Sequence, residues 1–222
     1  MKKLLLLTAT ILLFSCNNYD GETKLVVKGK VTDSNNLAVT NKEIKFYATD
    51  ESVQSFSWMS GNGIDLIGHA YTDSEGKYTM VFPKPDLGEM IAEINDDSNN
   101  LNRKRFIKIK VSNFNNYQLV LPDVKLYQKM ELATLTVIPN QTNFNNELVS
   151  IDYIGEQYNE VEPLNLDDYF PEFYYYLTRI VKKNQLLTIN YSVRNLTSGI
   201  ISDFQQNLAI TNLNEIDFIL TY

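Results

Sequence analysis

From Lys24 onward the apolar residues recur with period two, in short runs bounded by Asn, Asp, Gly and Pro. That is the pattern of half-buried strands, and no segment carries a convincing helical period. In the first stretch it predicts strands over Lys24–Asp33, Glu43–Ala48, Gly68–Thr72, Lys77–Phe82, Met90–Ile94, Arg105–Ser112 and Tyr117–Lys125. Ile44, Phe46 and Ala48, and then Phe106, Ile107, Ile109 and Val111, supply inward faces, while Lys45, Lys108 and Lys110 point outward. The second stretch gives Glu131–Ile138, Glu147–Ile154, Phe173–Val181, Leu186–Arg194, Gly199–Ser202, Asn207–Ile210 and Glu215–Tyr222, with Lys182-Lys183-Asn184-Gln185 as a hairpin turn. The expected architecture is all-β: two tandem antiparallel β-sandwich domains, at 24–129 and 130–222. A single larger domain is the alternative, because the junction near Gln128–Met130 is not enriched in Pro, Gly or Ser.

The first residues follow a different pattern. Met1-Lys2-Lys3 is a short positive start, and Leu4 to Phe14 is an uncharged run. Such a run is too short to cross a bilayer core of roughly 30 Å at a rise of about 1.5 Å per residue. Residues 1–15 therefore read as an export signal peptide. Its end, Leu13-Phe14-Ser15-Cys16, resembles a bacterial lipobox, departing from it at Phe14, where a small residue is more usual. The resemblance implies a lipoprotein: a diacylglyceryl group on the Cys16 thiol, cleavage after Ser15, and acylation of the new amine by a chain such as palmitate. A plain secretory signal with an incidental Cys16 is the alternative. Several acyl chains hold a protein on a membrane where one does so only marginally. Residues 16–23 then form a polar tether. Asn17 lacks the Asp that favours inner-membrane retention in some Gram-negative bacteria, so the expected location is the outer membrane or cell surface, with a periplasmic-facing body as the other possibility.

Charge narrows the partners. The chain of 222 residues has 20 basic and 27 acidic side chains, a formal net charge of −7 and a pI near 4.8. Removing the leader takes Lys2 and Lys3, leaving 18 basic groups against 27 and a net charge of −9. A surface of that sign repels phosphate backbones, so nucleic acid is not an expected partner. With 44% apolar and 21% charged residues, the composition is that of a folding chain. Cys16 is the only cysteine, so the exported body holds no internal disulfide and must rely on packed cores.

Two segments of the first stretch carry a family resemblance. Val27-Lys28-Gly29-Lys30-Val31-Thr32-Asp33 and Thr72-Asp73-Ser74-Glu75-Gly76-Lys77-Tyr78 resemble the signatures of carboxypeptidase regulatory-like domains, over about Leu25 to Tyr127. In the second segment, Asp73 can cap a turn, Gly76 can take positive φ, and Tyr78 returns the chain to the core. The resemblance implies a transthyretin-like, immunoglobulin-like sandwich serving as a noncatalytic accessory module. Asn36 to Glu43 departs from the family in lacking Pro and Gly, and Asp50 to Ile67 in its length. The second stretch resembles no family.

Candidate chemistry is sparse. With His69 as the only histidine, neither a zinc site nor a Cys-His or Ser-His-Asp centre is expected, so no cofactor and no catalytic residue are assigned. Asp96 to Asn102 packs oxygen ligands but lacks the order of a calcium loop and reads as a hairpin loop. Asp167-Asp168 with Glu160 and Glu162 would support a hydrolase only if they lined a shared cleft. Aromatic density stands out at Tyr169, Phe170, Phe173, Tyr174, Tyr175 and Tyr176. Alternation puts Phe173, Tyr175 and Leu177 on one face and Tyr174, Tyr176 and Thr178 on the other. The second face is either a binding platform at Tyr174 and Tyr176 or another packed layer. Trp58 sits in the long insertion and either binds or plugs. The expected function is a membrane-anchored, noncatalytic binding or adaptor module for a glycan or an envelope protein. The alternatives are a carboxylate hydrolase and a purely structural envelope component.

Overall fold

The computed structural model describes residues 19–49, 64–86, 88–95, 100–165 and 177–222. Among these residues there is no α-helix, and the chain is all-β as expected. It divides into two compact units at 96/97, 104/105 and 125/126, so 97–104 joins the second unit.

The first unit holds β1 (Tyr19–Asp33), β2 (Glu43–Thr49), β3 (Ile64–Tyr71), β4 (Lys77–Pro85), β5 (Glu89–Ile94), β6 (Lys104–Ile109) from Arg105 on, β7 (Gln118–Val120) and β8 (Val124–Leu126) up to Lys125. One sheet runs β4-β1-β7 with β8 also on β1, and four strands of the other run β6-β5-β2-β3. Leu25, Val27, Met80 and Phe82 are buried from the first sheet, and Ile44, Phe46, Met90, Ala92 and Phe106 from the second. Phe46 stacks on Phe82 at 4.8 Å, and a side chain at Gly68 would press on Met80. The faces are a packed sandwich.

The two signature segments interlock. Gly29 pairs with Tyr78 across the β1–β4 ladder, and any side chain at Gly29 would collide with the tyrosine ring. Asp73 Oδ1 accepts from the Glu75 and Lys77 amides at 2.8 and 2.9 Å, and Gly76 takes φ +73° beneath the Val31 carbonyl. Asp33 repeats the device, accepting from the Asn35 and Leu37 amides. Thr72 Oγ1 donates to the Val39 carbonyl and accepts from the Lys42 amide. The turn roles read for Asp73, Gly76 and Tyr78 are therefore those seen.

The second unit holds β9 (Leu132–Asn140), β10 (Asn146–Ile154), β11 (Gln157–Tyr158), β12 (Val161–Pro163), β13 (Thr178–Lys182), β14 (Gln185–Asn195), β15 (Ile201–Ile210) and β16 (Glu215–Thr221). Its sheets run β10-β14-β15 and β11-β13-β9-β16. Leu135, Val137, Ile151, Tyr153, Val181, Leu187, Ile189 and Leu220 form the core.

Several details differ from the sequence reading. The sheets are not wholly antiparallel: β7 runs parallel to β1, and β16 parallel to β9. Lys182 to Gln185 is not a hairpin, since β13 pairs with β9 and β11 while β14 pairs with β10 and β15. The link is tight, with Asn184 at φ +55°, and Gln185 Nε2 donates to the Lys182 and Glu156 carbonyls, but it carries the chain from one sheet to the other. The true hairpin joins β14 to β15, and the separate strands expected at 199–202 and 207–210 are one. β1 begins within the expected tether, because Tyr19 and Asp20 pair with Pro85 and Lys84 before a register break. β6 stops at Ile109, after Lys108 at φ +57°, and Val111 lies in a 3₁₀ turn.

Candidate functional site

Strand alternation in the β10-β14-β15 sheet sorts its side chains cleanly. Ile151, Tyr153, Leu187, Ile189 and Val193 face the core. The other face aligns two cross-strand rows: Ser150, Ser192 and Asp203, and beside them Asp152, Asn190 and Gln205. These six side chains border a depression of about 440 Å³. Ser192 Oγ donates to Asp203 Oδ1 at 2.6 Å, and in the next row Thr188 Oγ1 donates to Asn207 Oδ1 at 3.0 Å. Two carboxylates, two hydroxyls and two amides thus offer both donors and acceptors on one shallow surface.

The opposite face of the same strands carries an aromatic pair. Tyr191 packs on the core edge, and Phe204, directly across from it, stacks at 5.4 Å and 21°. Phe204 remains 48% exposed because β15 has no further strand beside it among the described residues. Sequence reading missed this whole region, since the polar residues stand at alternate positions of three distant strands and look like an ordinary solvent face.

The carboxylates singled out from the sequence do other work. Glu160 Oε1 accepts from Arg103 Nε and Nη2 at 2.9 and 2.5 Å, and Glu162 Oε2 pairs with Lys104 Nζ at 2.8 Å. Burial lowers the Lys104 ammonium below the usual lysine value, against the pull of Glu162. Tyr158 donates to the Arg103 carbonyl and packs edge-on against Tyr127, so these charges fasten the 100–104 segment within the second unit. In the first unit Arg105, 4% exposed, binds Glu93 at 2.6 Å. Its burial was not anticipated, because its partner lies on the neighbouring strand.

His69 lies exposed on β3, edge-on to Tyr71 at 6.1 Å. Among the described residues no three His, Cys, Asp or Glu side chains gather as metal ligands. Cys16, Trp58, Asp96, Asp97, Asp167, Asp168, Tyr174 and Tyr176 lie outside the described residues. At the described end of the aromatic segment, Leu177 packs on the core and Thr178 is exposed.

No family model matches the chain, and no curated protein matches it. Solved structures with some likeness include the shaft pilin SpaA of Lactobacillus rhamnosus GG, at 10% identity and TM-score 0.35 over 90% of this chain and 98% of that one. The Bacillus anthracis TIE protein is 15% identical at TM-score 0.33, over 90% of this chain and 34% of its own. A 9R-lipoxygenase from Cyanothece is 16% identical at TM-score 0.32, over 55% of this chain and 20% of its own. Likenesses this slight leave the architecture resting on the strands themselves.

Proposed function

We propose that this chain is an exported lipoprotein, held through Cys16 at the outer membrane or cell surface, and that its second unit binds a glycan on the polar face of β10, β14 and β15. The first unit is, in this reading, a carboxypeptidase regulatory-like module that carries the binding unit. The observation behind it is the pair of rows Ser150-Ser192-Asp203 and Asp152-Asn190-Gln205 bordering one depression. Sugar hydroxyls donate and accept at once, and a surface that alternates carboxylate, hydroxyl and amide meets both needs.

Two observations favour binding over hydrolysis. Asp152 and Asp203 sit on strands separated by β14 and are offset by one row. Two strand spacings plus that offset put their backbones roughly 12 Å apart. Side chains standing off one face of a sheet keep roughly that spacing, which is above the roughly 5–9.5 Å between paired glycosidase carboxyls. Glu160 and Glu162 are meanwhile engaged by Arg103 and Lys104.

The test is an NMR titration of the isotope-labelled chain with a panel of neutral oligosaccharides, repeated with the Asp152→Ala/Asn190→Ala variant. We expect shifts confined to the six residues and a loss of affinity of about tenfold or more in the variant. Binding that ignores the double substitution but fails in Tyr174→Ala/Tyr176→Ala or Trp58→Ala would move the site to those aromatics. No binding across the panel would reject a glycan ligand. The anchor is checked separately: Cys16→Ser should abolish acyl labelling and membrane retention.

A further inference from the structure

Among the described residues β15 ends the β10-β14-β15 sheet, and it lacks the usual protections of an edge. β15 is ten residues long and pairs with β14 without a register break from Ile201↔Arg194 to Ile210↔Gln185. It contains no Pro, no Lys and no bulge, and Asp203 is its only charge. Natural sheets blunt their edges with those devices, because a row of unpaired amides and carbonyls otherwise recruits another strand. Residues 201–207 are all exposed, on both faces, while 208 is half-buried and 210 buried. The run of seven is centred on Phe204.

We infer that β15 pairs antiparallel with β15 of a second copy of this chain, about a two-fold axis at Phe204. The sequence is self-complementary in that register. Asp203 falls opposite Gln205 of the other copy, so an amide donates to a carboxylate twice by symmetry, and the two Asp203 side chains avoid each other. Ser202 falls opposite Gln206, and Ile201 opposite Asn207. Phe204 meets Phe204 of the second copy on the face where it already stacks on Tyr191, giving a ladder of four rings across the junction. The sheets merge into one of six strands, β10-β14-β15-β15-β14-β10, and each edge covers the other. A second copy is favoured over an unrelated strand because this match is written into the exposed residues themselves.

The reading shares Asp203 and Gln205 with the glycan proposal but rests on the exposed edge of β15, and its test substitutes residues on the face away from the depression. The full chain in detergent is followed by light scattering across a concentration series. We expect a monomer–dimer equilibrium. Phe204→Lys, which sets like charges opposite each other, and Ser202→Glu/Gln206→Glu, which does so twice, should each weaken the dimer by about tenfold or more. Ser202→Glu/Gln206→Lys, whose charges are complementary in the same register, should retain it. With Cys16 the only native cysteine, Phe204→Cys should give an intermolecular disulfide under mild oxidation, and Thr188→Cys on the neighbouring strand should not. Circular dichroism shows whether each variant keeps its strands. A chain that stays monomeric at about 100 μM, or a dimer indifferent to both charge variants, overturns the inference. Protection of the β15 amides from exchange in a monomer would assign the edge to a segment of the chain itself, and would also overturn it.

Discussion

Two turns, one in each unit, begin alike and end differently. In the first unit Asp73 caps the turn with its side chain and Gly76 follows at φ +73°. In the second, Asn195 Oδ1 accepts from the Thr197 and Ser198 amides at 3.0 and 2.9 Å, and Gly199 takes the same φ of +73°. A side chain at Gly76 would strike the Val31 carbonyl and touch Ala38, whereas one at Gly199 would meet nothing within 4 Å. The local chemistry is one solution to one problem, reversal of the chain with an Asx cap and a left-handed glycine. Only the first is also built into a tertiary contact. The β4 turn is locked under β1, and the β14–β15 hairpin stands clear in solvent, consistent with an edge free to engage a partner.

The largest effect should come where conformation and contact coincide. Gly76→Ala combines an unfavourable φ with a backbone collision and should cost about 3 kcal/mol or more in a denaturant titration. A cost under about 1 kcal/mol would mean that the turn can swing free of Val31, and the contrast would collapse.

Alkali should have an intermediate effect, felt by both units. Tyr78 is 4% exposed under Gly29, and burial, with Asp123 adding, pushes its phenol up. Burial, with Asp152 adding and Arg179 opposing, pushes Tyr153 up to about 12. A phenol whose folded value is raised keeps its proton while the unfolded chain loses one near pH 10, so stability is intact below pH 10 and falls toward pH 12. Tyr153→Phe should flatten that fall in the second unit, read by urea midpoints at pH 8 and 11. An unchanged slope would show that Tyr153 ionises in the folded state.

The smallest effect is expected from Gly199→Ala, about 1 kcal/mol from backbone conformation alone. A loss matching that of Gly76→Ala would show that something does pack on the hairpin.

The difference between the turns also explains what could be read from the sequence. Asp73, Gly76 and Tyr78 act within a few residues of each other, so turn and strand ends were legible. The Lys182-to-Gln185 link was misread because a tight turn fixes the local path but not which sheet receives the next strand. β15 looked like two short strands because Asp203, Gln205 and Gln206 interrupt its apolar pattern, and a strand exposed on both faces has no period to show. The polar depression was illegible for a related reason. Its residues are separated by as many as 55 positions and gain meaning only when β10, β14 and β15 come into register. The ion pairs of Glu160 and Glu162 were equally hidden, since Arg103 and Lys104 lie far upstream.

The parallel pairing of β16 with β9 bears on the order of events during folding. Asn140 and Thr221 are partners 81 positions apart, so β9 waits for the arrival of β16. Until then one side of Leu132–Asn140, an apolar and β-branched stretch, is a bare template. Contacts of such long range close slowly, because the entropy of a large loop must be lost before the pairing rewards it. The β9–β16 ladder is therefore expected to close late in the folding of the second unit.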